Sequence, residues 1–201
     1  RSPLSIFDDM GLDEDSPYRD RTPRRADVLV VAEVDKKNVS VGEQVTLTYK
    51  ILTQLPITQV ELKVIPALNG FWVEEIPTSK NPEAQNRVVN GKQFAEYIVK
   101  KQALFPTGAG TQQIPSSTFG LVVRTGSGGL FSLGSQEAVV RKTDPIAIKV
   151  AAIPEKGRPP NFVGAVGNFK LESSVDKSSA ETGEAVNLKV TLTGIGNLKT
   201  I

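Results

Sequence analysis

The chain has 201 residues, 39% hydrophobic and 23% charged, which is enough to bury a core in one or two domains and too apolar for wholesale disorder. Its 24 basic and 22 acidic residues leave a formal charge of +2 scattered along the sequence, so neither nucleic acid nor an anionic membrane surface is indicated. Cysteine and histidine are both absent, which excludes disulfides, thiol nucleophiles, thiolate or imidazole metal sites and histidine general bases; carboxylate pairs or a lysine base are the remaining catalytic options.

Residues 1–25 read as an irregular acidic linker. Pro3, Pro17 and Pro23 punctuate it, Asp8, Asp9, Asp13, Glu14 and Asp15 crowd its middle, and Arg19, Arg21, Arg24 and Arg25 close it. Such a stretch buries too little apolar surface to fold alone, although Ser5 can cap a short helical turn carrying Ile6, Phe7 and Met10. The acidic cluster lacks the alternating ligands, central glycine and final glutamate of an EF-hand loop.

From Ala26 the period changes to two. Val45, Leu47, Tyr49 and Ile51 alternate with Gln44, Thr46, Thr48 and Lys50, as a half-buried antiparallel strand demands. Val60, Leu62 and Val64 repeat the alternation, as do Phe119, Leu121 and Val123, and Ile146, Ile148 and Val150. Phe71 and Trp72 follow Gly70, and on a strand one of the pair enters the core while the other lies outside. Glu74 and Glu75 are adjacent and face opposite ways on a strand, poor geometry for two acids acting on one bond. Asn90 and Gly91 predict a two-residue hairpin, because both tolerate the positive φ of a type I′ turn. The run from Gln93 to Phe105 ends at Pro106, and a turn continues through Gly108 and Gly110.

Residues 125–135, TGSGGLFSLGS, form a glycine-rich loop without the Gly-Lys-Ser/Thr ending of a P-loop. Leu130, Phe131 and Leu133 sit in this loop with no obvious core of their own, so they either contact a partner or fold back to cap one end of the domain. Eight or nine short strands and no convincing helix predict an all-β fold, an immunoglobulin-like antiparallel β-sandwich over residues 26–152. Residues 153–160 carry Pro154, Gly157, Pro159 and Pro160 and read as a semi-rigid linker.

An internal repeat organises the rest. Residues 34–51, VDKKNVSVGEQVTLTYKI, align without gaps to residues 175–192, VDKSSAETGEAVNLKVTL, at an offset of 141. Chance similarity between strands would reproduce the alternation but not also the Gly42-Glu43 and Gly183-Glu184 turn or the Val-Asp-Lys entry. Residues 161–201 are therefore the start of a second, incomplete sandwich, whose strand edges are expected to invite pairing between copies.

The repeat, GFWVEEI at residues 70–76, ALFPTGAGTQQIP at 103–115, NFVGAVGNFKL at 161–171 and the closing GIGNLKTI together resemble the BatD family of bacterial aerotolerance, or oxygen-tolerance, proteins over about residues 28–201. The resemblance implies a membrane-anchored protein whose tandem β-sandwiches face the periplasm or cell exterior, with the anchor outside these residues. It also implies a stress-related system shared with MoxR-type ATPases and von Willebrand A-domain proteins, and no catalytic residues or cofactor to carry over.

The expected function is accordingly a non-catalytic extracytoplasmic interaction or scaffold module. Phe71, Trp72, Leu130, Phe131 and Leu133 are the candidate partner-binding residues, and no catalytic, cofactor or metal residue is assigned. Two alternatives stand beside it: a carbohydrate-binding module using Trp72 as a stacking platform, and a passive spacer. Glu33, Asp35 and Glu43 are weighed as a cation site against turn and surface roles.

Overall fold

A computed structural model describes residues 27–125, 135–162 and 164–196, and the acidic linker lies outside them. The strands are β1 (Val28–Val34), β2 (Asn38–Ser40), β3 (Val45–Thr53), β4 (Ile57–Val64), β5 (Phe71–Ile76), β6 (Gln85–Val89), β7 (Lys92–Pro106), β8 (Gly110–Ile114), β9 (Thr118–Thr125), β10 (Ser135–Lys142), β11 (Ile146–Ala151), β12 (Gly167–Val175) and β13 (Leu188–Gly196). Among the described residues there is no helix, and the all-β expectation holds.

One layer of the sandwich is a five-stranded sheet in the order β1-β3-β7-β5, with β6 also paired to β7. The facing layer consists of two three-stranded sheets, β10-β9-β4 and β2-β11-β8. The core between them gathers Val45, Leu47, Tyr49 and Ile51 from β3, Leu104 from β7, Phe119, Leu121 and Val123 from β9, and Ile146, Ile148 and Val150 from β11. These are the alternating positions of the sequence, because a period of two on a pleated strand sends every second side chain to one face. The rings of Tyr49 and Phe119 meet at a centroid distance of 5.6 Å across the layers.

Three features depart from the sequence expectation. First, Val60 and Val64 on β4 are exposed rather than buried. β4 is an edge strand whose register slips between Ile57 and Gln59 and again between Leu62 and Val64, and such bulges re-aim side chains. Second, β2 pairs with β11 in parallel, Val39 opposite Val150, so the sandwich is not wholly antiparallel. Third, eleven strands precede the linker, more than the eight or nine expected, because short pieces such as β2 carry no alternation of their own.

The Asn90-Gly91 hairpin forms as expected. Asn90 and Gly91 have φ of 50° and 76°, and Val89 pairs with Lys92 across the two-residue turn.

The repeat is reproduced bond for bond. Strand β12 pairs with β13 in the register of β1 with β3: Val34 opposes Leu47, and Val175 opposes Leu188. Asp35 Oδ1 accepts from the Thr46 amide at 2.7 Å, and Asp176 Oδ1 accepts from the Asn187 amide at 3.0 Å. Glu43 accepts from the Ser40 amide and bonds Lys36, while Glu184 accepts from the Glu181 amide and bonds Lys177. Gly42 and Gly183 supply the positive φ, 77° and 92°, that brings each glutamate back over its own turn. The Val-Asp-Lys and Gly-Glu identities are thus the residues whose bonds fix the loop between the paired strands.

Candidate functional site

Trp72 is placed by Gly70 and by the exit of β7. Gly70 has φ of 84°, in the left-handed region that favours glycine at this turn. Its carbonyl accepts from both the Thr107 amide (2.9 Å) and the Thr107 hydroxyl (3.1 Å), which ties the entry of β5 to the residue after β7. Pairing then runs antiparallel, with Phe71 opposite Pro106 and Trp72 opposite Phe105.

Alternation separates the two aromatics. Phe71 is 9% exposed and belongs to the core cluster, so its ring packs inward. Trp72, at 38%, is the reachable member of the pair. By register it shares the outward face with Ala103 and Phe105, which are buried but lie outside the main core cluster.

Leu130, Phe131 and Leu133 lie outside the described residues. The base of their loop is well defined. Thr125 and Ser135 form the last rung of the β9–β10 pair, their hydroxyls 2.8 Å apart, and the Arg124 amide donates to the Pro56 carbonyl at 2.9 Å. That rung lies at the end of the sandwich that carries the β3–β4 turn.

The outward face of the five-stranded sheet carries a closed square of charges. Lys50 Nζ lies 2.7 Å from Glu33 and 3.2 Å from Glu96, and Arg87 lies 3.0 Å from Glu33 and 2.5 Å from Glu96. Four strands contribute one residue each, so the square is a clasp across β1, β3, β7 and β6. The Lys50 hydrogen bond, with help from Arg87, holds the Glu33 carboxyl below its ordinary range despite partial burial. Burial works against the Lys50 ammonium, but its bonds to Glu33 and Glu96 outweigh that and push it above the ordinary lysine value. Arg87 is raised by Glu96 first and Glu33 second.

The remaining carboxylates weighed from the sequence are engaged in the same structural manner. Asp35 caps Thr46, Glu43 closes its turn, and Glu75 bonds Lys100 and Gln102. Lys36 and the Ser40 amide lower the Glu43 carboxyl. Among the described residues no group of three acidic side chains converges as a metal site. The charge square was not read from the sequence. Its members look like ordinary outward-facing charges until non-local strand register brings them together.

A two-layer β-sandwich whose acids are spent on turns and cross-strand clasps, followed by a hairpin that repeats its own first strands, defines an immunoglobulin-like structural domain. Residues 32–150 match the BatD DUF11-like domain, and the chain belongs to the BatD family. A search of curated proteins returns no match. Family membership associates the chain with aerotolerance and with extracytoplasmic, membrane-associated proteins whose domains are generally structural. Among the described residues no helix is long and apolar enough to cross a membrane.

Proposed function

We propose that the chain is a non-catalytic extracytoplasmic scaffold module, held to the membrane through regions outside these residues, that presents a sandwich end and an aromatic edge to protein partners. The partners are von Willebrand A-domain membrane proteins acting with a MoxR-type ATPase in aerotolerance or envelope stress. The observation that carries this reading is the bond-for-bond reuse of one hairpin in two successive units, the build of a tandem display array. Leu130, Phe131 and Leu133, read from the sequence as lying in a glycine-rich loop, are the residues assigned to partner contact, and Thr125 and Ser135 on either side of that segment are hydrogen-bonded to each other. The test is capture of von Willebrand A-domain proteins from envelope extracts by the whole chain, compared with Leu130→Ser combined with Phe131→Ser. Specific enrichment reduced by the double substitution supports the reading; absence of those proteins from the captured set favours the spacer.

The exposure of Trp72 favours a second reading, a carbohydrate-binding face. Because Trp72 is the only tryptophan, its fluorescence reports on that face alone. Saturable quenching or a blue shift with envelope oligosaccharides supports sugar stacking, and an unchanged spectrum removes it.

A further inference from the structure

Alternation along β5 sends Trp72, Glu74 and Ile76 to the outward face of the five-stranded sheet, because Phe71 and Val73 pack toward the core. Antiparallel register sets Phe105, Ala103 and Lys101 of β7 beside them in that order. Trp72 and Ile76 are four residues apart on one strand, about 13 Å at 3.3 Å per residue. Trp72 is the exposed aromatic at one end of this row, and a cleft of about 520 Å³ begins at the other, where Ile76 and Lys101 line it. A cavity of that volume lies within the size range of ligand sites.

The cleft is amphipathic. Ile76, Pro77, Pro82 and Ile98 make its apolar surface, while Asn81 and Gln85 bring side-chain amides, each with donors and an acceptor. Local bonds hold Asn81 in place: the Ser79 hydroxyl donates to the Asn81 carbonyl at 2.9 Å and accepts from its amide at 3.2 Å. Of the charges, Glu96 is engaged by Lys50 and Arg87. Lys101 makes no ion pair among the described residues, so its ammonium stands as a donor, and Glu83 on the connecting segment offsets its charge. Such a lining favours a neutral ligand that carries both a small apolar group and an amide. A plain hexose offers it hydroxyls alone. An acetamido sugar offers a methyl group to Ile98, and an N–H and a carbonyl to the amides and to Lys101.

We propose that this row binds a linear glycan of N-acetylated hexosamines, with one ring stacked on Trp72 and the acetamido group of another seated over Ile98 in the cleft. The inference rests on the carbohydrate reading of Trp72 and names the ligand class of that face. Stacking on the indole does not depend on the substituent, since any pyranose presents a face of C–H groups to it. The acetamido group supplies the discrimination: its methyl is buried against Ile98 and its amide is paired, whereas a hydroxyl there meets an apolar floor. The separation of about 13 Å between Trp72 and Ile76 requires more than one ring to reach both ends.

The test uses the whole chain, labelled with nitrogen-15, titrated to a few millimolar with chitotriose, the N-acetylated trimer, and with cellotriose, which has hydroxyls in place of the acetamido groups. Both should quench the single tryptophan, and Trp72→Ala should weaken both. Chitotriose is expected to bind at least about tenfold more tightly and to shift the amides of Asn81, Gln85 and Ile98. Ile98→Ser should erase that preference while cellotriose keeps its affinity. Lys101→Met, which leaves the apolar floor intact, should lower chitotriose affinity several-fold and cellotriose affinity less. Equal binding of the two trimers would overturn the acetamido assignment and leave a sugar-binding Trp72 standing; binding of neither would remove both. Tight chitotriose binding without shifts at Asn81 and Ile98 would also overturn the proposal.

Discussion

The Tyr49 hydroxyl lies 3.0 Å from Ser117 Oγ, joining the five-stranded sheet to the start of the opposite layer across 68 residues of sequence. Ser117 is in turn fixed by Thr143, whose hydroxyl accepts from the Ser117 amide while the Thr143 amide donates to the Ser117 carbonyl. All three residues are buried, so the bonds form a polar staple inside an apolar core. Burial is also what pushes the Tyr49 phenol above its ordinary value.

The staple should cost a similar amount to break from either side. Tyr49→Phe keeps the ring against Phe119 but leaves the buried Ser117 hydroxyl without its partner, and Ser117→Ala leaves the tyrosine hydroxyl in the same position, so each is expected to cost about 1–3 kcal/mol. Urea denaturation followed through Trp72 fluorescence checks this: both midpoints fall by comparable amounts with unchanged slope.

The charge square gives a dissection by residue. Lys50→Met leaves Glu96, whose side chain is only 8% exposed, with Arg87 alone, and should cost about 1–3 kcal/mol. Glu33 is 36% exposed at its side chain and screened by solvent, so Glu33→Gln is expected to cost less, about 0.5–1 kcal/mol. The same denaturation measurement ranks them.

The acid limb of stability follows from the direction of the Glu33 shift. Its carboxyl titrates below the ordinary value of 4.5 when folded, so the stabilisation is complete above that pH and is lost as the pH falls through the lowered folded value. The stability difference between the parent and Glu33→Gln should therefore stay constant from about pH 5 to 8 and shrink in more acidic solution. A difference that grew toward acid would contradict the Glu33 assignment. Lys50 behaves oppositely: its raised value keeps its contribution intact below the ordinary 10.5 and releases it only on the alkaline side.

The local half of this fold was readable in the residues, and the non-local half was not. The alternation on β3, β9 and β11 and the Asn90-Gly91 turn depend on neighbours within one strand or hairpin, so side-chain type alone fixes them. β2 is three residues long and pairs with β11 more than a hundred residues later, with no periodicity to announce it. The exposure of Val60 and Val64 depends on bulges against β9, and the separate pairing of β5 and β6 along β7, ending at Lys101 and starting at Glu96, depends on where two strands stop along a third. Of the candidate site, the opposed facing of Phe71 and Trp72 was foreseeable, but which of them turns inward required the register with Pro106 and Phe105.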